Sequence, residues 1–451
     1  LACAVAEAAH FFHLAARNAE SPVVQAHATA GYATACFLAR AMREALPALE
    51  MASTRLRNCG QARRARRLDI LRIEGLAEAG SVPIEDLLAR LASVRVEARE
   101  SHDWEALSLA LDQELRIALL DERFGHVRSI CVKCREVPVE KCAAAAAVAC
   151  RALAVGLLLD DPAGAISAAE TAVQLTARSS IDERLSVLNR ALIVLHHQGL
   201  VRKSRTQALA AEAIELAASS GDLLQRFSLQ SNLGAAYLDV GELDRADAHF
   251  TRADDLLGGS EMTFPRINLA CNVGELALAR GDLEGAERAF RSVIPLSGET
   301  RPRYTNDMVA AGLGLCALER GAFVRARQLE DQLGSAPATW YYDPFLILSF
   351  RSRLQERRGD LHAACETLAL GERNISGRLV PAWLKLRLAR VRVAAKIPDE
   401  VEALAAEGRA VAEKLDLDTR ASEFRRQQSR SEQATPRPMR RSRPHSPRHR
   451  V

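Results

Sequence analysis

The residue types that most invite chemistry cluster between His126 and Cys150: Cys131-Val-Lys-Cys134, then Cys142 and Cys150. A C-x2-C pair can give two thiolates to a tetrahedral zinc ion, which then needs two more ligands from elsewhere. Cys142 and Cys150 stand in an alanine-rich stretch that reads as one helix, so about 12 Å of helix axis separates them. Thiols so placed do not share an ion, and even with His126 nearby the group reads as small buried thiols. His196-His197 offers a general base with no nucleophile or carboxylate paired to it in the sequence. Gly312-Leu-Gly314 follows no strand and so lacks the setting of a dinucleotide-binding turn. Trp340-Tyr341-Tyr342, the one aromatic cluster, reads as a plug between helices or an anchor for a partner. No G-x4-G-K-[ST], H-E-x-x-H, G-x-S-x-G or kinase-loop pattern occurs. The expectation is a non-enzyme with no catalytic, cofactor-binding or metal-ligating residue.

The elements that would have to position these residues are helices. Hydrophobic residues make up 48% of the 451 while aromatics make up only 4%, so burial must rest on Ala, Leu, Val and Ile, a helix-favouring set. No alternating β-type run and no Asn-Gly or Asp-Gly hairpin turn interrupts them. The most apolar segment, Cys142 to Leu159, carries Arg151 and is too short and too charged to read as a membrane span. Scattered cysteines in a chain of this size read as reduced thiols of a cytoplasmic protein. Only six lysines occur, so nearly all positive charge is arginine, as GC-rich bacterial coding would give. The chain starts at Leu1, which reads as a fragment of something longer.

Turn glycines recur at Gly199, Gly241, Gly281, Gly321 and Gly359, spaced 42, 40, 40 and 38 residues apart. Small residues keep step with them: Gly234, Gly274 and Gly314 before the turns, then Ala246, Ala286, Ala326 and Ala364 after. A large apolar residue follows four further on at Phe250, Phe290 and Leu368, while Glu330 breaks the series. Each unit is thus two antiparallel helices whose backbones approach at Gly and Ala, with Tyr237 or Phe250 filling the gap to the next. One pair cannot bury its apolar stripe alone, so pairs must stack.

With Leu233-Gly234-x2-Tyr237 and Ala246-x3-Phe250 in place, the stretch 227–260 resembles a tetratricopeptide repeat (TPR). Gln230 stands at the family's tryptophan position and Gly258 at its closing proline. The unit 267–300 keeps Gly274, Ala286 and Phe290 with Ala277 for tyrosine; 307–340 and 345–378 match less closely. Repeats near 40 residues are similar to the sensor and scaffold arrays of large bacterial signalling proteins, including regulators of the maltose-activator type. The resemblance implies an all-α, right-handed α-solenoid of about nine helix pairs, the upstream ones at about 22–59, 61–99, 103–137, 142–179 and 181–220. The expected divisions are 1–140 divergent pairs, 141–226 weak repeats, 227–378 the clearest repeats, 379–420 capping helices and 421–451 a disordered tail.

The resemblance further implies a protein or peptide partner in a concave groove lined by the first helix of each pair. The positions it assigns there are Ser228, Ser231, Ala235, Asp239, Asn268, Cys271, Glu275, Met308, Leu315, Glu319, Arg353 and Arg357. Ser231, Ala235, Cys271 and Glu275 fall where two family relatives hold a Lys/Asn clamp for a peptide carboxylate, so that clamp is missing. A second expectation rests on the end of the chain. Phe424 to Val451 holds nine arginines against Glu432 alone, with four prolines, and so reads as a tail open to nucleic acid or an anionic surface.

Overall fold

Gly199, Gly241, Gly281, Gly321 and Gly359 all adopt positive φ, between 72° and 86°, the left-handed conformation that lets a helix end and the chain reverse. The amide after the glycine then bonds back to the first helix, as Glu242 N–H does to the Tyr237 carbonyl at 2.8 Å. Arg40 takes the same turn position in an earlier pair at φ 59°, with Ala41 N–H donating to the Cys36 carbonyl.

The computed structural model describes residues 2–79, 82–121, 123–158, 160–258, 262–296, 303–333, 344–396 and 401–434. Among them are 22 α-helices and no strand. After α1 (Ala2–Asn18) come α2 (Pro22–Leu38) with α3 (Met42–Asn58), and α4 (Ala62–Ala79) with α5 (Ile84–Glu100). Next are α6 (Trp104–Leu120) with α7 (Phe124–Arg135), and α8 (Ala143–Leu157) with α9 (Pro162–Leu175). The middle holds α10 (Ile181–His197) with α11 (Ser204–Ser219), and α12 (Leu223–Asp239) with α13 (Leu243–Leu257). Then follow α14 (Thr263–Arg280) with α15 (Leu283–Val293), and α16 (Arg303–Glu319) with α17 (Phe323–Glu330). The series closes with α18 (Phe345–Arg357) and α19 (Leu361–Ile375), α20 (Val380–Ala394) and α21 (Val401–Lys414), and α22 (Asp418–Ala434). Each even-numbered helix packs on the next even one, so the first helices of the pairs form one continuous inner wall.

The small-residue rule holds at atomic detail. A Cβ on Gly234 would lie 2.5 Å from the Phe250 ring, and one on Gly274 2.6 Å from Phe290. Ala246, Ala286 and Ala326 are fully buried; Leu233 and Tyr237 are buried too, the phenol ring stacked on His249 at 5.4 Å. Gly314 departs from the pattern: its neighbour is Phe350 of α18, in the following pair. The broken series at Glu330 explains this, because Glu330 instead ion-pairs with Arg358 at 2.5 Å and Phe350 supplies the missing ring.

Two sequence-based boundaries change. The residues from 379 make a tenth pair, α20 and α21, with α22 closing the stack. Position 421, where the tail was expected to start, lies inside α22, whose Phe424 is fully buried against Gly408.

Candidate functional site

A polar ladder climbs the inner wall with one rung per repeat. Arg151 on α8 donates to Asp112 on α6 at 2.7 Å and to Ser186 on α10 at 2.6 Å. The amide of Asn189 on α10 donates to Gln225 on α12, and Asn232 donates back to Asn189 at 2.9 Å. Asn272 on α14 reaches Ser231. These partners are 35 to 43 residues apart in sequence, so each joins corresponding faces of successive first helices. Burial pushes the Asp112 carboxyl up, but the Arg151, Arg190 and Arg116 guanidinium groups outweigh it and hold it below the usual carboxylate range.

Above this ladder the wall is met from the other side by α20. Apolar residues occupy every face of this helix and nearly all are buried, as expected of a helix surrounded by protein. Its Lys385, only 5% exposed at the side chain, donates to Asp239 on α12 at 2.7 Å and to Glu275 on α14 at 2.9 Å. The same ammonium lies 4.7 Å from the centre of the Phe345 ring. Asp239 also meets His196 Nε2 at 3.0 Å, so a carboxylate does pair with this histidine although the sequence offered none. Burial pushes the Asp239 carboxyl up, but the Lys385 ammonium and His196 outweigh it and hold it well below the carboxylate range. His197, crowded by protein and stacked on His196 at 5.3 Å, is pushed down to about 3.

Further contacts seat the last described helices on the middle repeats. Arg420 of α22 donates to the Asp239 carbonyl at 2.7 Å, capping the exposed C-terminal carbonyls of α12. Gln198 donates to the Arg378 carbonyl at 2.8 Å, and Lys203 pairs with Asp416 at 2.6 Å. At the opposite end Arg40 bonds Glu78 at 3.0 Å and reaches Asp222, the N-cap of α12, at 3.5 Å. The coil therefore touches itself across turns, and the middle pairs are clasped from both ends.

The expected groove positions separate into three groups. Glu319, Arg353 and Arg357 are exposed, with Glu319 and Arg353 ion-paired and Arg357 placed 5.7 Å from the Phe323 ring centre. Ser228, Ala235, Asn268 and Met308 are half-buried, as are Asp239 and Glu275, which Lys385 holds. Ser231, Cys271 and Leu315 are buried, and the last two belong to the apolar core around Phe290 and Phe350. Those two positions therefore contribute to packing between helices rather than to an open wall. Trp340-Tyr341-Tyr342 lies outside the described residues.

Chemically the knot around Lys385 resembles half of an acid–base pair, but Asp239 is shared with an ammonium and no nucleophile hydrogen-bonds His196 among the described residues. No group of three or more His, Cys, Asp or Glu there is arranged to hold a metal. Burial pushes the Cys131 thiol up to about 11 and raises Cys134 and Cys150 as well.

Sequence reasoning missed Lys385, Arg420 and the Arg40 clasp because none falls at repeat spacing. The available signal was α20 itself, an apolar-on-all-sides helix that carries one of only six lysines.

No family model matches the chain, and the comparison with curated proteins finds no match. Solved structures do resemble it. A Rap protein complexed with competence and sporulation factor aligns over 82% of this chain and 98% of its own at 14% identity, TM-score 0.51. Yeast Tom70 aligns over 96% of both chains at 14% identity, TM-score 0.37. The Cut9–Hcn1 hetero-tetramer of APC/C aligns over 92% of this chain and 88% of its own at 11% identity, TM-score 0.35. The fold is an α-solenoid of the TPR type.

Proposed function

We propose that the chain is a non-catalytic scaffold that takes a peptide or protein segment against the inner wall of its coil. The observation that carries this reading is the mixed, solvent-reached surface of the first helices. Ser228, Ala235, Asn268 and Met308 are half-buried there, and Glu319, Arg353 and Arg357 are exposed. Such a wall offers apolar contact and hydrogen bonds side by side, as peptide grooves do. The arginine-biased, lysine-poor composition and the roughly 40-residue repeat support a role as the interaction region of a cytoplasmic bacterial signalling or transcription-regulatory protein. The test is selection of binders from a random peptide library, followed by calorimetric titration of the recovered peptides. Asn268→Arg or Met308→Glu should abolish their binding at an unchanged melting midpoint. Peptides that bind these variants as well as the parent would remove the inner wall from the reading.

The nine arginines of Phe424–Val451 support a second reading, contact with nucleic acid or an anionic surface.

A further inference from the structure

The inward face of α20 carries a second cation. Arg392 follows Lys385 by seven residues, which places it within about 20° of the same direction and about 10 Å further along the axis. Lys385, buried on this face, is neutralised by two carboxylates, while Arg392 reaches solvent. Arg392 has no hydrogen bond or ion pair among the described residues.

Its surroundings are charged but committed. Arg353 is ion-paired with Glu319, and Arg420 with Glu423 at 2.8 Å and with the Asp239 carbonyl. Glu356 is held by Lys396. Crowding by protein and the fields of Arg353 and Arg420 outweigh those of Glu423 and Glu356 and hold the Arg392 guanidinium below its ordinary range. Yet solvent reaches the side chain. Both facts fit a residue in a concave wall, surrounded on most sides and open on one. One turn before Arg353 on α18, the buried hydroxyl of Ser349 likewise has no hydrogen-bond partner among the described residues.

We propose that Arg392, with Arg353 and Arg420 beside it, is an anion subsite of the inner wall that receives a carboxylate of an acidic peptide. This rests on the scaffold reading and names the chemistry of its partner. A carboxylate supplied from outside would do for Arg392 what Asp239 and Glu275 do for Lys385, and the planar guanidinium suits it for a two-point hydrogen bond. Arg353 would then exchange Glu319 for the incoming carboxylate or divide its N–H donors between the two.

The experiment measures binding of fluorescein-labelled hexaglutamate to the full chain by anisotropy at low ionic strength, with labelled hexaglutamine as the uncharged comparison. The parent is expected to bind hexaglutamate and not hexaglutamine. Arg392→Ala should weaken binding about tenfold, the value of one charge-assisted contact, and Arg392→Lys should restore part of it. Arg373→Ala, a change to an exposed arginine on α19, should leave binding unchanged. Because Arg392 is solvent-reached, the circular-dichroism melt of each variant should match the parent. Equal affinity of parent and Arg392→Ala would overturn the subsite. Equal binding of hexaglutamine would do so while leaving the scaffold reading intact. Full displacement by inorganic phosphate at matched charge would make this a free-anion site and overturn the peptide assignment.

Discussion

Between α12 and α13 the contact is Phe250 lying on the bare backbone of Gly234, whereas α20 reaches α12 through the ammonium of Lys385. The first contact is apolar and recurs one repeat later at Gly274 and Phe290. The second is ionic, does not follow the repeat, and joins residues 146 apart. Arg40 with Asp222, 182 apart, and Lys203 with Asp416, 213 apart, are of the second kind. Stacking of neighbours is thus driven by buried area, while closure between turns adds charge pairs to a shared apolar core that runs from Phe227 and Tyr237 to Trp383 and Phe424. Lys385 and Arg40 are buried in their pairs, and Lys203 with Asp416 is exposed. A buried ion pair adds little net stability when intact and costs a great deal when half is removed. The two kinds of contact should therefore fail differently.

The largest effect is expected at the apolar seam. Ala246→Glu places a charge at a fully buried site beside Phe250, with overpacking added to desolvation, and should cost about 4–5 kcal/mol. Hydrogen exchange should show the damage centred on α10 to α15, the altered pair and its stacked neighbours, and reaching α20 and α22, which share the core around Phe250. Equal loss of protection in α2 to α6 would mean that the closure, not the stacking, governs cooperativity.

Lys385→Ala tests the other seam and should cost about 3–4 kcal/mol, because Asp239 and Glu275 would remain buried without their cation. Here α12 and α14 should lose protection together with α20 and α22, although 110 residues separate Lys385 from Glu275. Loss confined to α18–α22 would show that the clasp contributes nothing to the middle repeats.

A pH experiment gives a smaller effect; His197 beside the clasp responds over the same window, so the seam is read from the change on replacing His249. His249 stacks on Tyr237 and its Nδ1 lies 2.8 Å from Gln230 Oε1. Burial, then Arg252 and Arg245, push its pKa from 6.5 down to about 4. The unfolded chain therefore binds the extra proton first. The neutral imidazole's contribution is fully present above pH 6.5 and is lost as pH falls towards 4. Urea midpoints should decline over that window, and His249→Gln should flatten the decline. An unchanged slope in the variant would place the sensitivity elsewhere.

How much of this could be read beforehand follows from the same contrast. The turn glycines, the Gly234–Phe250 and Gly274–Phe290 contacts and nine of the pairs were legible because repetition prints a local contact many times. The Phe350 substitution at Gly314 was not, since it borrows a ring from the next pair to cover the gap at Glu330. Cys271 and Leu315 were assigned to the groove from register alone, and register does not say how tightly the coil is wound. Lys385 was illegible for a stricter reason: nothing near residue 385 reveals that Asp239 lies opposite. Its neighbour Arg392, two turns along the same face, inherits that limit.

The smallest expected effect on stability concerns the arginine-rich end, and there the structure changes the experiment. Ending the chain at Glu423 would remove Phe424, which is fully buried against Gly408, and loss of a buried aromatic costs about 3–5 kcal/mol. Any fall in DNA affinity would then be confounded with unfolding of the last pair. Ending it at Ala434 keeps α22 through its last residue and should shift the melting free energy by less than about 0.5 kcal/mol. It still deletes six of the nine arginines, those at 437, 440, 441, 443, 448 and 450. If the tail contacts phosphates, the slope of log affinity against log salt should become shallower by up to about five. A slope that does not change would return nucleic-acid binding, if any is measured, to the folded coil, where Arg353 and Arg392 are the first residues to test.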